Sequence, residues 1–272
     1  MNPSGDDLPL GREVGYLDVY DASLLRPVAR AEGRSAWLGA GASLPFLGED
    51  VWHCYELSWL GQEGVPRIAI VRLRVPCDSP NIVESKSLKL YLGSFAQTQM
   101  ETPTAVRSLL ARDISGVVGC ETGVELLGLG QLSQVRPLAG ESLDGFTPRL
   151  SKYRRDPRLL TASGAWGRDC IHTNLFRSVC PITGQPDWGS IVIDYEGRQL
   201  KRESVLAYLV SHRLSPGFHE DAVERVFVDL QQVAEPTRLS VQGRFLRRGG
   251  IDINPFRSLH QETAGLDRAP RQ

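Results

Sequence analysis

Ser87-Leu88-Lys89-Leu90-Tyr91-Leu92-Gly93-Ser94 returns 117 positions later as Ser204-Val205-Leu206-Ala207-Tyr208-Leu209-Val210-Ser211, with serine, tyrosine, leucine and serine at the same four places. Both windows are rich in helix formers, and their surroundings repeat as well. Ahead of the first lie two strand-like runs, Trp52 to Leu60 and Arg67 to Val75, split by a turn at Gly61 and Gly64. The helix predicted from Val83 to Leu92 follows, and Thr102 with Pro103 starts a second helix. Its apolar residues Val106, Leu109, Leu110, Ile114 and Val117 keep helical spacing, and a strand near Val124 to Leu127 closes the set. Around the second window come two strands about Cys180, a helix from Arg202 to His212, and a breaker at Ser215-Pro216-Gly217. A helix striped by Ala222, Val223, Val226, Phe227 and Leu230 then leads to a strand marked by Leu239, Val241 and Phe245. Repeated order plus matched positions predict a duplication. The expected fold is α+β: two strand-strand-helix-helix-strand units, antiparallel sheets with helices packed on one face.

The expected layout is an extended N-terminal arm over 1–50, a first unit over 51–134, a charged, proline-bearing connector over 135–168, a second unit over 169–257 and a flexible tail over 258–272. A chain of 272 residues can bury cores for two such units. Its net charge of −1 gives no general pull toward nucleic acid or anionic membrane. No apolar run approaches the length of a membrane span, and no secretory signal is visible. Five cysteines without a framework of close spacings suit a reducing, cytoplasmic setting. Lys152, Arg154 and Arg155 lack interleaved aromatics beyond Tyr153, so that cluster reads as a solvated face.

Metal and standard nucleotide motifs are missing. There is no Cys-x-x-Cys or His-Glu-x-x-His, and neither His53-Cys54 nor Cys170 with His172 has further ligands at zinc spacing. Gly39-Ala40-Gly41 and Gly128-Leu129-Gly130 lack the third glycine of a dinucleotide fingerprint, and no Walker loop occurs. A nucleotide cofactor, if used, is bound without a Rossmann unit.

Four segments carry more polarity than packing requires. Ser178-Val179-Cys180-Pro181-Ile182-Thr183-Gly184-Gln185-Pro186-Asp187-Trp188-Gly189 reads as a loop between strands that offers one thiol and one carboxyl group. A buried small hydrophobe and a turn-capping aspartate are the plain alternatives. Glu84-Ser85-Lys86-Ser87 opens a helix, where the carboxylate can cap and the amides with Lys86 and Lys89 can hold phosphate. Phe218-His219-Glu220 opens another helix, and Arg247-Arg248-Gly249-Gly250 ends a strand with glycines beside arginines.

Taken together and in this order, these segments resemble the QueF family of NADPH-dependent nitrile reductases of queuosine biosynthesis, a tRNA modification. Glu84 to Tyr91, Gln185 to Gly189 after Cys180, Phe218 to Glu220 and Arg247 to Pro255 carry the resemblance, with Tyr20-Asp21, Ser23 to Leu25 and Tyr55 to Trp59 nearer the N-terminus. It extends from about Gly11 to Arg257 and is similar to the long form, in which one chain holds two tunnelling-fold units. Val179, Gly93 and Ala96 depart from the family's commoner pattern without removing a reacting group.

The resemblance implies reduction of the nitrile of 7-cyano-7-deazaguanine to an amine with two NADPH. Cys180 would form a thioimide, Asp187 would donate protons, and His219 would assist the second protonation or position the substrate. A free thiol is only about 3% ionised at pH 7, so such a site must assist it. Glu220 would accept from the guanine-like edge, with Glu84 and the main chain of Val83 to Ser85 completing the base site. Ser85, Lys86, Lys89, Arg248 and Gly249 would hold NADPH. The family also implies a homodimer acting on a small molecule, and site residues drawn from separated segments suggest a pocket at a domain or subunit boundary; motifs and charge point to no metal, nucleic-acid or membrane partner. An amidine-forming relative, a zinc cyclohydrolase and a non-catalytic purine-binding scaffold are the rival readings.

Overall fold

The computed structural model describes residues 15–132 and 134–272. In chain order these form β1 (Pro27–Ala29), α1 (Arg30–Arg34), β2 (Leu47–Leu60), β3 (Pro66–Pro76), β4 (Asn81–Val83), α2 (Ser85–Gly93), α3 (Pro103–Val118) and β5 (Gly123–Leu127). Then follow β6 (Glu141–Ser142), β7 (Ala162–Val179), β8 (Pro186–Leu200), α4 (Arg202–Ser211), α5 (His219–Ala234), β9 (Arg238–Phe245) and β10 (Ile251–Ser258). Two compact units result: 15–32, 50–132 and 247–252 in the first, and 33–49, 134–246 and 253–272 in the second. Among the described residues no helix is long and apolar enough to cross a membrane.

In the first unit β5, β3 and β2 lie side by side, with β3 and β5 antiparallel, and β1 pairs antiparallel with β4. Thr102 accepts from the Ala105 amide and Pro103 follows, so α3 begins where capping chemistry places it. Val106, Leu110, Ile114 and Val118 are its buried stripe, with Leu109 and Val117 only half-buried at its flanks. In the second unit the order is β10-β9-β8-β7-β6, antiparallel throughout except for the short β6–β7 bridge. The stripe expected on α5 is buried at all five positions.

The matched residues of the repeat have a common task. Tyr91 donates to Asp113 on α3 at 2.7 Å, and Tyr208 donates to Asp229 on α5 at 2.5 Å. Burial and the neighbouring carboxylate push both phenols above their ordinary pKa, so they stay neutral donors. Ser94 accepts from the Asp21 amide and Ser211 from the Asp156 amide, each at 3.2 Å. Ser87 accepts from Arg26 and Ser204 from Thr161, at 3.1 and 3.2 Å. Asp21 and Asp156 in turn cap short 3-10 turns at Ala22–Leu24 and Pro157–Leu159. Each unit thus receives an incoming extended segment on the same helix face, through the same serines.

Several boundaries differ from expectation. Residues 1–14 of the expected arm lie outside the described residues. The described part is not a plain extended arm, because it holds a 3-10 turn, β1, α1 and the start of β2. Within the second unit Arg34 and Arg257 both bind the buried Glu224, at 2.7 and 2.8 Å, and both guanidinium groups lie over Phe46. That cluster fixes the 33–49 segment in a way no local periodicity shows. β7 begins at Ala162, inside the expected connector. The tail is not loose: Ala264 donates to Glu49 at 2.7 Å and Gln272 to the Phe245 carbonyl at 3.1 Å, and Ala264 and Ala269 are buried.

His212, between the rings of Phe176 and Tyr208, is buried with no hydrogen-bond partner for Nε2. Burial, then the positive Arg155 and Arg225, depresses its pKa to about 3. The neutral ring is therefore the folded form, and its contribution is complete above the unfolded value near 6.5. As pH falls from about 6.5 toward 3, the unfolded chain binds the extra proton and stability declines by about 1.4 kcal/mol per pH unit from this group. Denaturant titrations of wild type and His212→Phe between pH 7 and 4.5 should differ by that slope. Parallel curves would refute the assignment.

Candidate active site

The thiol sits on a tight hairpin. β7 and β8 remain paired up to Val179 and Pro186, so the loop is shorter than the sequence suggested and spans only 180–185. Cys180 donates its amide to Gln185 at 2.9 Å, Gly184 donates back to Cys180 at 3.0 Å, and Gly184 has φ of 70°. The positive φ is the reason for glycine at that place. Pro186 is tolerated as the first residue of its strand. Asp187 is therefore a strand residue opposite Ser178 rather than a turn cap, and both it and Cys180 are buried.

The helix start that carries His219 and Glu220 is brought to this hairpin by backbone bonds. Val179 donates to Ser215 and Gly217 donates to Val179, each at 3.1 Å, which seats the Ser215-Pro216-Gly217 breaker against the end of β7. α5 begins two residues later. His219 Nε2 lies 3.8 Å from Asp187 Oδ1, and its ring stands edge-on to Phe245 at 4.2 Å between centroids. Glu220 is buried in the first turn of α5. A Cβ at Gly243 would meet Val223 at 2.8 Å, so this glycine lets α5 approach β9 closely. The second unit thus gathers Cys180, Asp187, His219 and Glu220 from three elements.

The other expected residues belong to the first unit. Glu84 is fully buried and caps α2, its two oxygens accepting the Lys86 and Ser87 amides at 2.8 Å each. Burial raises its pKa, against the lowering effect of those two bonds. The capping reading is thus realised, and those amides are not an open phosphate nest. Lys86 and Lys89 remain as cations at that end, with Ser85 beside them and Val83 buried at the end of β4. Arg248 and Ile251 exchange amide–carbonyl bonds at 2.9 and 3.0 Å around Gly249 and Gly250, whose φ values are 55° and 76°. Lys89 passes close to Gly249, where a Cβ would lie 3.4 Å from its side chain, and pairs with Glu56 at 3.5 Å. Lys89, Glu56, Gly249 and Gly250 line a cavity of about 150 Å³ that also meets Cys54, Leu92 and Ile251.

Phe245 and Ser178 escaped sequence reasoning, because their place beside the site follows from register alone. Trp188, under the guanidinium groups of Arg177 and Arg213 at 5.4 and 5.1 Å, is another residue whose partners no motif announces.

Two family models match. One, described as nitrile reductase, 7-cyano-7-deazaguanine-reductase N-term, covers residues 16–126. The other, described as QueF-like protein, covers 186–264. The similarity to curated proteins is continuous across the gap between them. A protein of Burkholderia vietnamiensis is 47% identical over 268 residues, 97% of this chain and 96% of the relative. The chain belongs to the QueF family. That relative is named NADPH-dependent 7-cyano-7-deazaguanine reductase, as are a protein of Burkholderia mallei, 48% identical over 96% of each chain, and one of Paraburkholderia xenovorans, 49% identical over 92% of each. In QueF terms, Glu84 to Lys89 fall within the first matched segment, Asp187, His219, Glu220 and Arg247 to Gly249 within the second. Cys180 lies just ahead of the second.

Because Glu84 supplies both caps, Glu84→Ala should lower stability by about 1–2 kcal/mol, the usual worth of an N-cap. Urea denaturation is the measurement, and an unchanged midpoint would remove the capping role.

Proposed function

We propose that this chain reduces the nitrile of 7-cyano-7-deazaguanine to the aminomethyl group, using NADPH, in the route to queuosine. One observation carries the assignment of roles: a thiol on a six-residue hairpin, with a buried carboxyl group on the next strand and an imidazole 3.8 Å from that carboxyl. A nitrile carbon is a weak electrophile, and adding a sulfur nucleophile first makes it easier to reduce.

Cys180 adds its sulfur to the nitrile carbon while Asp187 passes a proton to the nitrogen, so that S and H add across the C≡N bond and a thioimide forms. Two NADPH molecules, bound in turn, would each supply one hydride. After the first, the C–S bond breaks and Cys180 leaves as thiolate, giving the imine. Protonation at nitrogen then accompanies the second reduction, with Asp187 as donor and His219 placed to return a proton to it. Glu220 accepts from the ring N–H and the 2-amino group, contacts worth about 1.5–3 kcal/mol each because the acceptor is charged. Glu84, buried with both oxygens on the Lys86 and Ser87 amides, supports the start of α2 rather than touching the base. Lys86, Lys89, Arg248 and Gly249, with Ser85, hold the cofactor phosphates. The residues fit that group: two lysines on one helix face, a turn of positive-φ glycines beside Lys89, and a cavity lined by Lys89 and those glycines. The same reading makes the protein a cytoplasmic homodimer that acts on the free base, with no metal, membrane or direct nucleic-acid partner.

The test mixes protein with 7-cyano-7-deazaguanine in the absence of NADPH, with Cys180→Ala alongside. A new near-ultraviolet band and a mass gain of one substrate should form in wild type only, and NADPH should then discharge the adduct as amine. Folded wild-type protein that binds the base yet forms no adduct and oxidises no NADPH would be a scaffold instead.

A further inference from the structure

A chain of linked polar side chains in the first unit, buried at Arg72, His53 and Asp252, ends at a cation beside the glycine turn. Arg72 donates to Glu125 at 3.1 Å and, through Nε, to His53 Nε2 at 3.3 Å. His53 Nδ1 lies 2.9 Å from Asp252 Oδ1, so with Nε2 accepting, Nδ1 is the donor of that pair. Tyr55 donates its hydroxyl to the other oxygen of Asp252 at 2.6 Å. Its backbone amide binds the Gly250 carbonyl at 2.9 Å. Over the face of the Tyr55 ring stands the guanidinium of Arg247, 3.4 Å from the centroid.

Packing alone does not call for this. Arg247 is exposed, and an exposed arginine ordinarily keeps its rotamer freedom in water. Here the ring holds its flat face, and the phenol, hydrogen-bonded to a carboxylate, is electron-rich and a better cation partner. A guanidinium held by its face offers N–H groups along its edge, the arrangement suited to phosphate oxygens. Two residues on are Gly249 and Gly250. A Cβ at Gly250 would lie 2.5 Å from the Glu56 carboxyl, so the turn is pressed against β2 and cannot drift from Tyr55.

We propose that Arg247 is a further phosphate-binding residue of the cofactor site and that Tyr55 is the positioning residue that holds it, with Asp252 and His53 behind. The inference rests on the reading of Lys89, Arg248 and Gly249 as cofactor residues.

Steady-state kinetics and adduct formation separate the two. Arg247→Ala should raise KM for NADPH by about 10-fold or more, the worth of a charge-assisted bond, with little change in kcat. Tyr55→Leu should do nearly the same, and Tyr55→Phe, which keeps the ring and loses the hydroxyl, should fall between. The double variant should be no worse than Arg247→Ala, because both changes remove one contact. The adduct formed without NADPH should be unaltered in all of them, which also reports correct folding. Unchanged KM in Arg247→Ala and Tyr55→Leu, while Lys89→Ala raises it, would overturn the proposal and leave the cofactor reading standing. Unchanged KM in Lys89→Ala and Arg248→Ala as well would overturn the cofactor reading itself.

Discussion

Val179 both donates to Ser215 and accepts from Gly217, and the reactive part of the second unit depends on this pair of backbone bonds. They tie the end of β7 to the breaker before α5, so the thiol and the helix start bearing His219 and Glu220 share one framework. Without them the hairpin would still form, since Cys180, Gly184 and Gln185 close it locally. The imidazole is held against Phe245 by the packing of α5 on β9, and these bonds tie the thiol hairpin to that same helix start. Backbone groups set the geometry here, and the side chains inherit it. Placement on rigid elements is the usual requirement for groups that must meet within an ångström.

The two units solve a common docking problem with one set of residues. In each, a tyrosine and two serines of the helix after the hairpin receive an extended segment, and an aspartate of the following helix receives the tyrosine. The partners around this set have diverged. Tyr20 joins Tyr91 at Asp113, whereas Arg155 joins Tyr208 at Asp229. Each aspartate pairs with an arginine, Arg112 at Asp113 and Arg155 at Asp229, so the two settings share that charge although the arginines come from different elements.

Much of this was legible. The helix starts at Thr102-Pro103 and at Glu84, the α5 stripe and the hairpin about Cys180 all follow from local rules of capping, periodicity and turn chemistry. What failed was long-range. Glu224 collects arginines from positions 34 and 257, and Tyr55 meets Asp252 across nearly two hundred residues, pairings that no window of sequence contains. The tail went unread for the same reason: its anchors are Glu49, Gln134 and Phe245, all remote. Glu84 shows the opposite case. Its residue type allowed both a cap and a ligand, and only the position of its two oxygens shows the cap being made.

That cap also decides what kind of anion site the first unit can offer. A bare helix N-terminus binds anions through fixed dipoles. With the Glu84 carboxyl group occupying the amides of Lys86 and Ser87, the start of α2 is closed to an anion, and attraction falls to partly exposed lysines on flexible stems. Such charges are screened by salt over about 8–10 Å. Ionic strength, rather than any rearrangement of the helix, is therefore the variable to which anion affinity at this place is most responsive.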